Sequence, residues 1–497
     1  MISISNKEWR EKMTNSKKVE KYIQDNNISS TLSKLIISRN FNEEELFYTL
    51  EKDTNKIFKI FFKNDDFNKS ANLLIDIIKK KETVIIFGDY DVDGSCATSL
   101  LINFLKSIEH PHFFYIPDRE KDGYGPNKDL FKKLLLKKPK LVIMVDCGSN
   151  SLDEISFLKV NKVKTIIIDH HQINKPFPKA DTIINPKKDN GYIEFDYFCA
   201  TTLTYFFLDL VLTKLKKNNH KNISKFKLEK FSIYVLLATI CDVMPLRGLN
   251  RKIANQILDK FNFENNNAIK TLFEHHNKNN KLTTDDLGFF IGPILNAGGR
   301  LGKSEYATKL LTSSNNKSIN EYVKKLSLLN LKRQKYEQKI ISSIDFNKLD
   351  NNKNIINLFD KSINEGLIGI IAARIKEHFN KPSIVLTKSG NLLKGSARSI
   401  FNFDIGIAIQ KAKDLNIIIN GGGHKMAAGF SLEKKNYNKF LNFLDDLYIK
   451  QNPNHKSNHF SYDLKVSSSA FNKTFLNEIN KLKPFGNGNP EPLFLFE

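Results

Sequence analysis

The chain has 497 residues, of which 40% are hydrophobic and 26% are charged, so it exceeds the size of one hydrophobic core and has the composition of a folded globular protein. Lysine and arginine total 77 against 54 aspartates and glutamates, and a formal charge of +23 favours polyanionic partners, nucleic acid before an anionic membrane surface. Four cysteines without a C-x-x-C pair, and no apolar stretch of signal-peptide or membrane-spanning length, argue against disulfide-rich, zinc-ribbon and integral membrane proteins. We therefore expect a cytoplasmic protein; a lysine-rich composition without a nucleic-acid partner is the alternative explanation of the charge.

Residues 1–70 are polar and mostly helical by pattern, and we expect them to pack on the outside of the first domain. The stretch Thr83–Ser107 predicts a buried β-strand, an acidic turn and a helix. Thr83–Phe87 is apolar and β-branched, as in a strand covered on both faces, and the residues after Gly94 place one apolar stripe at helical spacing. The turn between them carries three carboxylates, Asp89, Asp91 and Asp93. Carboxylates this close repel one another unless a cation lies among them, which predicts part of a divalent-metal site; a solvated turn that caps the helix is the alternative.

Strand and helix patterns alternate through the rest of the first domain, which we assign to residues 71–315. Such alternation favours a parallel, doubly wound α/β sheet, in which ligands bind beyond the carboxyl ends of the strands. The predicted elements are helix 127–138, strand 141–145, helix 152–159, strands 165–168 and 182–184 and the buried apolar helix 231–240, with 265–281 as a surface loop or short helical excursion.

Acidic residues and histidines recur at the ends of these elements. A single Asp at a strand end is usually a helix cap, but several on successive parallel strands meet at one edge of the sheet. The set therefore predicts one shared metal site. Its further members are Asp146 after strand 141–145, Asp169, His170 and His171 after strand 165–168, and Asp242 after helix 231–240.

The ligand types indicate which metal would bind. Carboxylates with an imidazole and no thiolate favour Mn²⁺ or Mg²⁺ over Zn²⁺, and the histidine favours manganese. Four or more carboxylates are too many for one ion, so we expect two ions that share a bridging Asp. Paired ions roughly 3.5–4 Å apart suit in-line attack at phosphorus, and the predicted reaction is hydrolysis of a phosphoester.

The remaining chain is predicted to form a connector, a second domain and a short third unit. The connector, residues 316–349, contains a long helix at 321–341, whose lysines are expected to form a solvated face; a nucleic-acid contact is the alternative. Residues 460–497 begin a third unit that stops inside a predicted strand, Leu493–Phe496. Between them, residues 350–450 form a smaller α/β domain with helix 368–379, strands 383–387 and 392–397, helix 405–413, a glycine turn at Gly421–Gly423 and helix 437–449.

An ordered set of motifs, which runs from about residue 70 to the end of the chain, resembles the DHH phosphoesterases and, within them, the exonucleases specific for single-stranded DNA. The three letters DHH alone are weak, but the ordered set is highly specific. The motifs are GDYDVDG (88–94), DCGSN (146–150), IDHHQ (168–172), ICDVMPL (240–246), GPILNAGGRLG (292–302), SARS (396–399), GGGHKMAAG (421–429) and PFGNGNPEP (484–492).

The resemblance implies two manganese ions, with magnesium as a possible substitute. His171 would lie beside the scissile phosphate and polarise it or assist proton transfer, and the alternative is that His171 orients His170. Some family members carry a histidine where this chain has Phe87, so a ligand from that position is absent and Asp89 gains importance. One ion would be held by Asp89, Asp91 and Asp146, and the other by Asp93, Asp146, His170 and Asp242, with Asp146 as the bridge.

The resemblance also implies the residues that meet the substrate. Asn296 and Arg300 would face its phosphates, although the glycines around them could form only a turn. The second domain resembles the DHH-associated domain, which closes over the groove and binds the 5′ end. The implied contacts there are Arg119, Ser396 and Arg398 with the terminal phosphate, Tyr124 with a base, and Gly422 and His424 along the groove. A surface ion pair is the alternative for each arginine.

The implied activity is 5′-to-3′ hydrolysis of single-stranded DNA, with a 5′-phosphate at its end, in DNA repair and recombination. Residues 460–497 resemble the start of an OB-fold and are too few for a five-stranded barrel, so we expect either that the chain is a fragment or that its grip on DNA is shortened. One alternative is a DHH phosphodiesterase of short oligonucleotides or other small phosphoesters, against which the length, the charge and the PFGNGNPEP motif argue. The other is a non-catalytic DNA-binding scaffold, which would be expected to have lost metal ligands that are present here. Helicase or single-strand-binding-protein partners cannot be read from the sequence.

Overall fold

The structure of the protein is a computed structural model. It contains most of the elements expected from the sequence. Elements that were not predicted include the helices Ala200–Lys217 and Gly248–Lys260 and the strands His112–Tyr115 and Ala427–Glu433. Short polar caps account for several helix starts. Asn64, Asn127 and Asp404, for example, each accept a hydrogen bond from the backbone N–H three residues later. The structure describes residues 8–50, 61–118, 121–123, 125–188, 192–217, 223–351, 353–400, 402–452 and 459–496.

The elements up to the connector begin with a short strand and three helices and continue as an alternation of strands and helices. They are β1 (Glu8–Glu11), α1 (Ser16–Asn26), α2 (Ser30–Ser38), α3 (Glu43–Leu50), α4 (Asp65–Lys79), β2 (Val84–Gly88), α5 (Val92–Ser107), β3 (His112–Tyr115), α6 (Lys128–Leu135), β4 (Leu141–Val145), α7 (Leu152–Val160), β5 (Lys164–Ile168), β6 (Thr182–Ile184), α8 (Ala200–Lys217), α9 (Ser232–Cys241), α10 (Gly248–Lys260), α11 (Asn267–His275), α12 (Gly292–Arg300), α13 (Tyr306–Leu311) and the connector helix α14 (Asn316–Ser343).

The second domain and the C-terminal segment follow the connector. Their elements are β7 (Ile356–Phe359), α15 (Ile368–Phe379), β8 (Ser383–Ser389), β9 (Leu392–Arg398), α16 (Ile405–Asp414), β10 (Asn420–His424), β11 (Ala427–Glu433), α17 (Tyr437–Gln451), β12 (His459–Tyr462), β13 (Leu464–Val466), α18 (Lys473–Asn480) and β14 (Phe494–Phe496).

The first domain is a doubly wound parallel sheet, as predicted. Its strand order is β3-β2-β4-β5-β6, and every pair is parallel. Val84 and Ile86 belong to the core on one face, whereas Ile85 and Phe87 belong to the core on the other, so the strand reads as a continuous apolar run. Because β2, β4 and β5 are parallel neighbours, the loops that follow them lie side by side at the carboxyl ends of the strands.

The second domain is a mixed five-stranded sheet in the order β10-β11-β9-β8-β7, with β7 and β8 parallel and the other pairs antiparallel. The prediction of a glycine turn at Gly421–Gly423 is wrong, because these residues form the edge strand β10. A Cβ on Gly421 would lie 2.6 Å from Ile409 Cγ2, and one on Gly423 would lie 2.5 Å from the Cα of Ala428. The glycines therefore permit close packing within a strand, and their sequence resembles a turn only because glycine serves both purposes.

The N-terminal region packs partly on the first domain and partly on the C-terminal segment. Residues 8–11 form strand β1, which differs from the mostly helical expectation because its partner, β12, lies some 450 residues further along the chain. Helix α2 shares a small core with Leu464, Phe475 and Leu482 of the C-terminal segment. Sequence pattern alone does not contain such long-range pairing. Within the described ranges, no helix combines the length and the apolarity that crossing a bilayer requires.

Arg251 of α10 joins the first domain to the C-terminal segment. Its side chain is fully buried, and it donates to the carbonyl oxygens of Lys481, Leu482 (3.0 Å) and Lys483 (2.9 Å), just beyond the end of α18. We expect Arg251→Leu to cost about 3 kcal/mol or more, because three buried carbonyl groups lose a charged donor. Thermal unfolding should show a fall in Tm of about 5 °C or more. Arg10→Leu, at an exposed ion pair with Glu8, is the control and should change Tm little; an equally small effect of both would contradict the prediction.

Candidate metal centre

The acidic loop between β2 and α5 combines a helix cap with a group of carboxylates. Asp91 caps α5 by accepting a hydrogen bond from Gly94 N at 2.9 Å, so the capping alternative is correct for this residue. A Cβ on Gly94 would lie within 2.7 Å of the Asp89 backbone, which requires glycine there. Carboxylate oxygens of Asp89, Asp91 and Asp146 lie within 4.8 Å of one another. Capping and metal binding are compatible because an ionised carboxylate has about four acceptor positions.

Asp93 is buried beneath this loop and binds the start of α8. Its two carboxylate oxygens accept hydrogen bonds from Ala200 N and Thr201 N, each at 2.7 Å. Burial and the Asp91 charge raise the pKa of Asp93 to about 6, against the effect of those hydrogen bonds. The sequence predicts Asp93 as a metal ligand, and the structure adds that it anchors the first turn of a helix.

His170 lies at the centre of three carboxylates. Its Nε2 atom is 3.3 Å from Asp146 Oδ1, 3.4 Å from Asp242 Oδ2 and 3.7 Å from Asp93 Oδ2. Asp146 adopts a φ of 60°, in the left-handed region, where the chain leaves β4. The predicted convergence of Asp93, Asp146, His170 and Asp242 at one edge of the sheet is therefore present in the structure.

Several polar atoms in this cluster are buried without a hydrogen-bond partner, although buried polar groups in proteins are nearly always paired. Burial, together with the neighbouring Asp93 carboxylate, raises the pKa of both Asp146 and Asp242 well above the usual range for aspartate. Such an arrangement is costly unless a cation offsets the carboxylate charges. The unpartnered atoms are Asp146 Oδ1, Asp242 Oδ2 and both ring nitrogens of His170.

The donor set fits two divalent cations that share one ligand. One group contains Asp89, Asp91 and Asp146, and a second contains Asp93, Asp146 and His170, so Asp146 is common to both. Cys147 is adjacent to Asp146, but burial raises the pKa of its thiol well above the usual range, which keeps it protonated. Oxygen ligands with one imidazole suit Mn²⁺ or Mg²⁺ better than Zn²⁺.

Asp169, which the sequence places in the predicted metal site by its position at a strand end, holds the histidine loop. Its carboxylate accepts hydrogen bonds from the backbone N–H groups of Ser149, His170 and His171 and lies 2.8 Å from His171 Nδ1. Although burial lowers the pKa of His171, the Asp169 carboxylate raises it to about 9. His171 Nδ1 therefore donates to Asp169, and Nε2 remains for another partner.

His424 brings the second domain into contact with the histidine pair. Its ring centroid is 5.5 Å from that of His170 and 5.2 Å from that of His171. Burial and the nearby His171 charge lower the pKa of His424 to about 3, and its Nε2 atom is buried without a hydrogen-bond partner. An imidazole of the second domain thus stacks on the histidine pair of the first domain.

Small residues form the floor of the sheet face beside His424. Ser396, Gly429 and Gly422 lie in one row across β9, β11 and β10, and Arg398 and His424 belong to the next row. A Cβ on Gly422 or Gly429 would meet nothing within 4 Å, so both face open space. Gly429 was not among the predicted site residues, and only its pairing opposite Ser396 and Gly422 identifies it.

Arg398 lies where this floor meets helix α15. Its Nη1 atom donates to Ser396 Oγ at 3.0 Å and to Ala397 O at 2.9 Å. A Cβ on Gly369, in the first turn of α15, would lie 2.7 Å from Arg398 Nη2. The guanidinium group is thus held against a helix N-terminus, where an anion is stabilised.

The glycine-rich motif forms helix α12 rather than only a turn. A Cβ on Gly299 would lie 2.7 Å from Tyr90 O, so α12 approaches the acidic loop closely. Asn296 and Arg300 share one face of α12 at a spacing of four residues. Arg300 Nη1 donates to Gly366 O at 3.1 Å, which brings part of this predicted phosphate ligand into contact with the second domain. Arg119 and Tyr124, the remaining predicted contacts, lie outside the described residues.

Two further residues that the sequence reasoning missed support the histidine loop from the end of β6. Lys187 Nζ donates to His170 O at 2.7 Å, and Asn185 Nδ2 donates to His171 O at 2.9 Å and to Ser149 Oγ at 2.8 Å. Their only sequence signal is their position directly after a predicted strand of the same sheet. Phe87, where some DHH proteins carry a histidine, is buried in the core and contributes no ligand.

Family models match the chain in three consecutive parts. The DHH family N-terminal domain matches residues 83–239, the DHHA1 domain matches residues 351–450, and the RecJ OB domain matches residues 462–497. Two single-stranded-DNA-specific exonucleases named RecJ are among the similar proteins. That of Bacillus subtilis is 27% identical over 98% of this chain, which spans 61% of the relative's length. That of Haemophilus influenzae is 28% identical over 91% of this chain and 80% of its own length.

Solved structures with the same fold include two RecJ proteins that contain manganese. RecJ from Thermus thermophilus in complex with Mn²⁺ has a TM-score of 0.79 and 22% identity, covering 99% of this chain and 70% of that chain. An exonuclease RecJ bound to manganese has a TM-score of 0.63 and 25% identity, covering 78% of this chain and 95% of that chain. The agreement extends over the parallel sheet and the second domain together.

Proposed function

Since this chain belongs to the DHH family, we propose that it is a metal-dependent exonuclease that hydrolyses phosphodiester bonds of single-stranded DNA from the 5′ end, in DNA repair and recombination. The observation that carries the proposal is Asp146, which belongs to both groups of metal-ligating atoms and has a buried oxygen without a partner. The substrate class follows the names of the relatives, and the basic charge of +23 is consistent with it.

The proposed metal ligands divide into two sets around Asp146. Two bound Mn²⁺ ions would make a water molecule nucleophilic at neutral pH and stabilise the charge that develops on the phosphate. His170, with its pKa lowered by burial and by the nearby His171 charge, stays neutral and can therefore act as a ligand. Asp89, Asp91 and Asp146 would hold one ion, and Asp93, Asp146, His170 and Asp242 would hold the other.

His171 and the groove residues supply the remaining contacts. The Asp169 carboxylate holds His171 at Nδ1, so Nε2 remains to contact a phosphate oxygen beside the metal ligands. Asn296 and Arg300 are proposed to contact substrate phosphates from α12. The glycine floor at Gly422 and Gly429 allows a strand of DNA to approach the sheet closely, because no side chain stands in the way.

The 5′ end is proposed to bind at Ser396 and Arg398. Arg398 lies against the first turn of α15, where a guanidinium group and helix N–H groups both favour a phosphate. His424 stacks beside the DHH histidines next to the proposed metal ligands, and we propose that this leaves room for a single-stranded end and excludes duplex DNA. Arg119 and Tyr124 belong to this proposal through the family resemblance alone.

The function can be tested by digesting end-labelled single-stranded DNA with Mn²⁺, with Mg²⁺ and with EDTA, beside matched duplex DNA and oligonucleotides of two to five nucleotides. We expect cleavage from the 5′ end of the long single strand with either metal and none in EDTA. Cleavage of the short oligonucleotides alone would instead identify a small-substrate phosphodiesterase. Binding of DNA without cleavage under every metal condition would identify a scaffold.

Arg398 offers a separate test of the 5′-phosphate site. We expect Arg398→Ala to lower kcat/KM on 5′-phosphorylated DNA by about 10- to 100-fold, since one charged hydrogen-bond donor to phosphate contributes about 1.5–3 kcal/mol. On DNA with a 5′-hydroxyl the same change should have little effect. Lys388→Ala, which removes one exposed positive charge elsewhere on the same sheet, is the control. An equal loss on both substrates would argue against a terminal-phosphate contact.

A further inference from the structure

The PFGNGNPEP motif near the C-terminus folds into a closed turn. Gly486 N donates to Asn489 O at 2.9 Å, and Asn489 N donates back to Gly486 O at 3.1 Å. Gly488 has a φ of 74°, which glycine adopts without strain. The turn is therefore a defined structural unit with Asn487 at its tip.

A buried network fixes the base of this turn. Asn489 is fully buried; its side-chain amide donates to Leu482 O at 2.7 Å and to Pro484 O at 3.0 Å. Its Oδ1 atom accepts from Arg39 Nε at 2.9 Å. Because each of these polar groups is satisfied in the interior, the turn has little freedom to shift.

The tip of the turn contacts the loop that begins at Asp242. Leu246 N donates to Asn487 O at 2.7 Å, and Asn487 Nδ2 donates to Val243 O at 2.5 Å. A Cβ on Gly486 would lie 2.7 Å from Leu246 Cδ1, so the turn and the loop pack without space for a side chain. Asn487, which lies 244 positions after Val243, thus binds this loop at both Val243 and Leu246.

The Asp242 loop begins as the C-terminal cap of α9, in which Met244 N donates to Thr239 O at 2.9 Å. This cap places Val243 at a φ of 55°, which a β-branched residue rarely tolerates, and the residue is 61% exposed. Strained conformations persist only where their surroundings enforce them. On the other side of Val243 lies Asp242, whose Oδ2 atom is buried without a partner, 3.4 Å from His170 Nε2.

We propose that Asn487 is a positioning residue for the metal centre: its side-chain amide holds the strained Val243 peptide and thereby keeps the Asp242 carboxylate beside His170. The C-terminal segment then completes the proposed metal site rather than serving only as a grip on DNA. This inference rests on the proposed function, since it takes Asp242 to be a ligand of the second ion.

The N-terminal region holds the same loop from its other end. Arg247, next to Leu246, forms two hydrogen bonds of 2.6 Å with the Glu45 carboxylate of α3. A bidentate pair of this kind fixes both partners in orientation. The loop is thus contacted by both ends of the chain. Glu45 binds it at Arg247, whereas Asn487 binds it at Val243, directly after Asp242.

The test is a titration of the full chain with Mn²⁺, followed by electron paramagnetic resonance of the free ion. Asn487→Ala removes the bond to Val243 O and keeps the backbone bond to Leu246. We expect two Mn²⁺ sites in the unaltered protein. In the variant, one of these two sites should bind Mn²⁺ about tenfold more weakly, as for other residues that orient metal ligands. Asn472→Ala, which removes the cap of α18 and touches no part of the loop, is the matched control and should leave both sites unchanged.

A second change separates positioning from a general loss of structure. Asparagine tolerates a positive φ far better than valine, so Val243→Asn in the Asn487→Ala background should restore most of the lost affinity. A purely structural role of the turn would give no such rescue. If Asn487→Ala does not fold, Asn487→Asp, which keeps the side-chain shape and removes the donor, takes its place in both measurements.

The outcomes distinguish this inference from the proposed function. Two Mn²⁺ sites in the unaltered protein with unchanged affinity in the Asn487 variant would overturn the inference and leave the function standing. Weakened binding without rescue by Val243→Asn would also overturn it. Absence of Mn²⁺ binding in the unaltered protein would instead contradict the proposed metal centre itself.

Discussion

Asp146→Asn is expected to abolish cleavage of single-stranded DNA while making the metal-free protein more stable. The change removes the charge of the shared ligand, and kcat should fall by about 10³-fold, the upper end of the loss typical of removing one strong electrostatic contribution to a transition state. The same change removes a carboxylate whose pKa is raised above the usual range by burial and by the neighbouring carboxylates. Tm measured in EDTA should therefore rise. Opposite signs for activity and stability are the signature of a charge retained for function.

The control for this variant is Asp153→Asn on helix α7, where the carboxylate is 79% exposed and lies 3.4 Å from Lys128 Nζ. It should change neither kcat nor Tm appreciably. Binding of labelled single-stranded DNA in EDTA should be similar for the unaltered protein and Asp146→Asn, because Asp146 is buried beneath the groove. Cleavage by Asp146→Asn at a rate near that of the unaltered protein would show that Asp146 does not bridge the ions.

Manganese is expected to stabilise the protein strongly, because the cations bind the folded state and offset its clustered carboxylates. A single site filled at a hundredfold excess over Kd contributes about 2.7 kcal/mol, and two such sites contribute about twice that. Thermal unfolding with Mn²⁺, with Mg²⁺ and with EDTA measures the effect, and Tm should be highest with Mn²⁺. The shift should be much smaller in Asp146→Asn, which loses a ligand common to both sites.

A manganese-dependent rise of equal size in the unaltered protein and in Asp146→Asn would mean that the stabilising ions bind elsewhere. The chain contains other acidic residues that could bind metal weakly at the surface, so this comparison is the decisive one. Asp153→Asn serves again as the control and should retain the full shift.

The first domain was predictable because its strands have a local sequence pattern. Strands such as Val84–Gly88 and Leu141–Val145 are short, apolar and fully buried, and their pattern is local. Because parallel strands end at one edge, the residues that follow them had to converge, and Asp89, Asp146 and His170 do so. Glycine was harder to interpret: Gly421–Gly423 has the composition of a turn and forms a strand, since a close-packed edge and a turn both select glycine.

The sequence by itself determined the chemistry: which carboxylates and imidazoles end which strands, and hence the class of metal and of reaction. Only the tertiary structure decided how those groups are held, because the supporting contacts join distant positions. Asp93 caps a helix that starts at Ala200, His424 arrives from the second domain, and Asn487 bonds beside Asp242 from the far end of the chain. Periodicity and motif spacing describe local geometry, whereas these contacts depend on which distant segments of the chain the tertiary fold brings together.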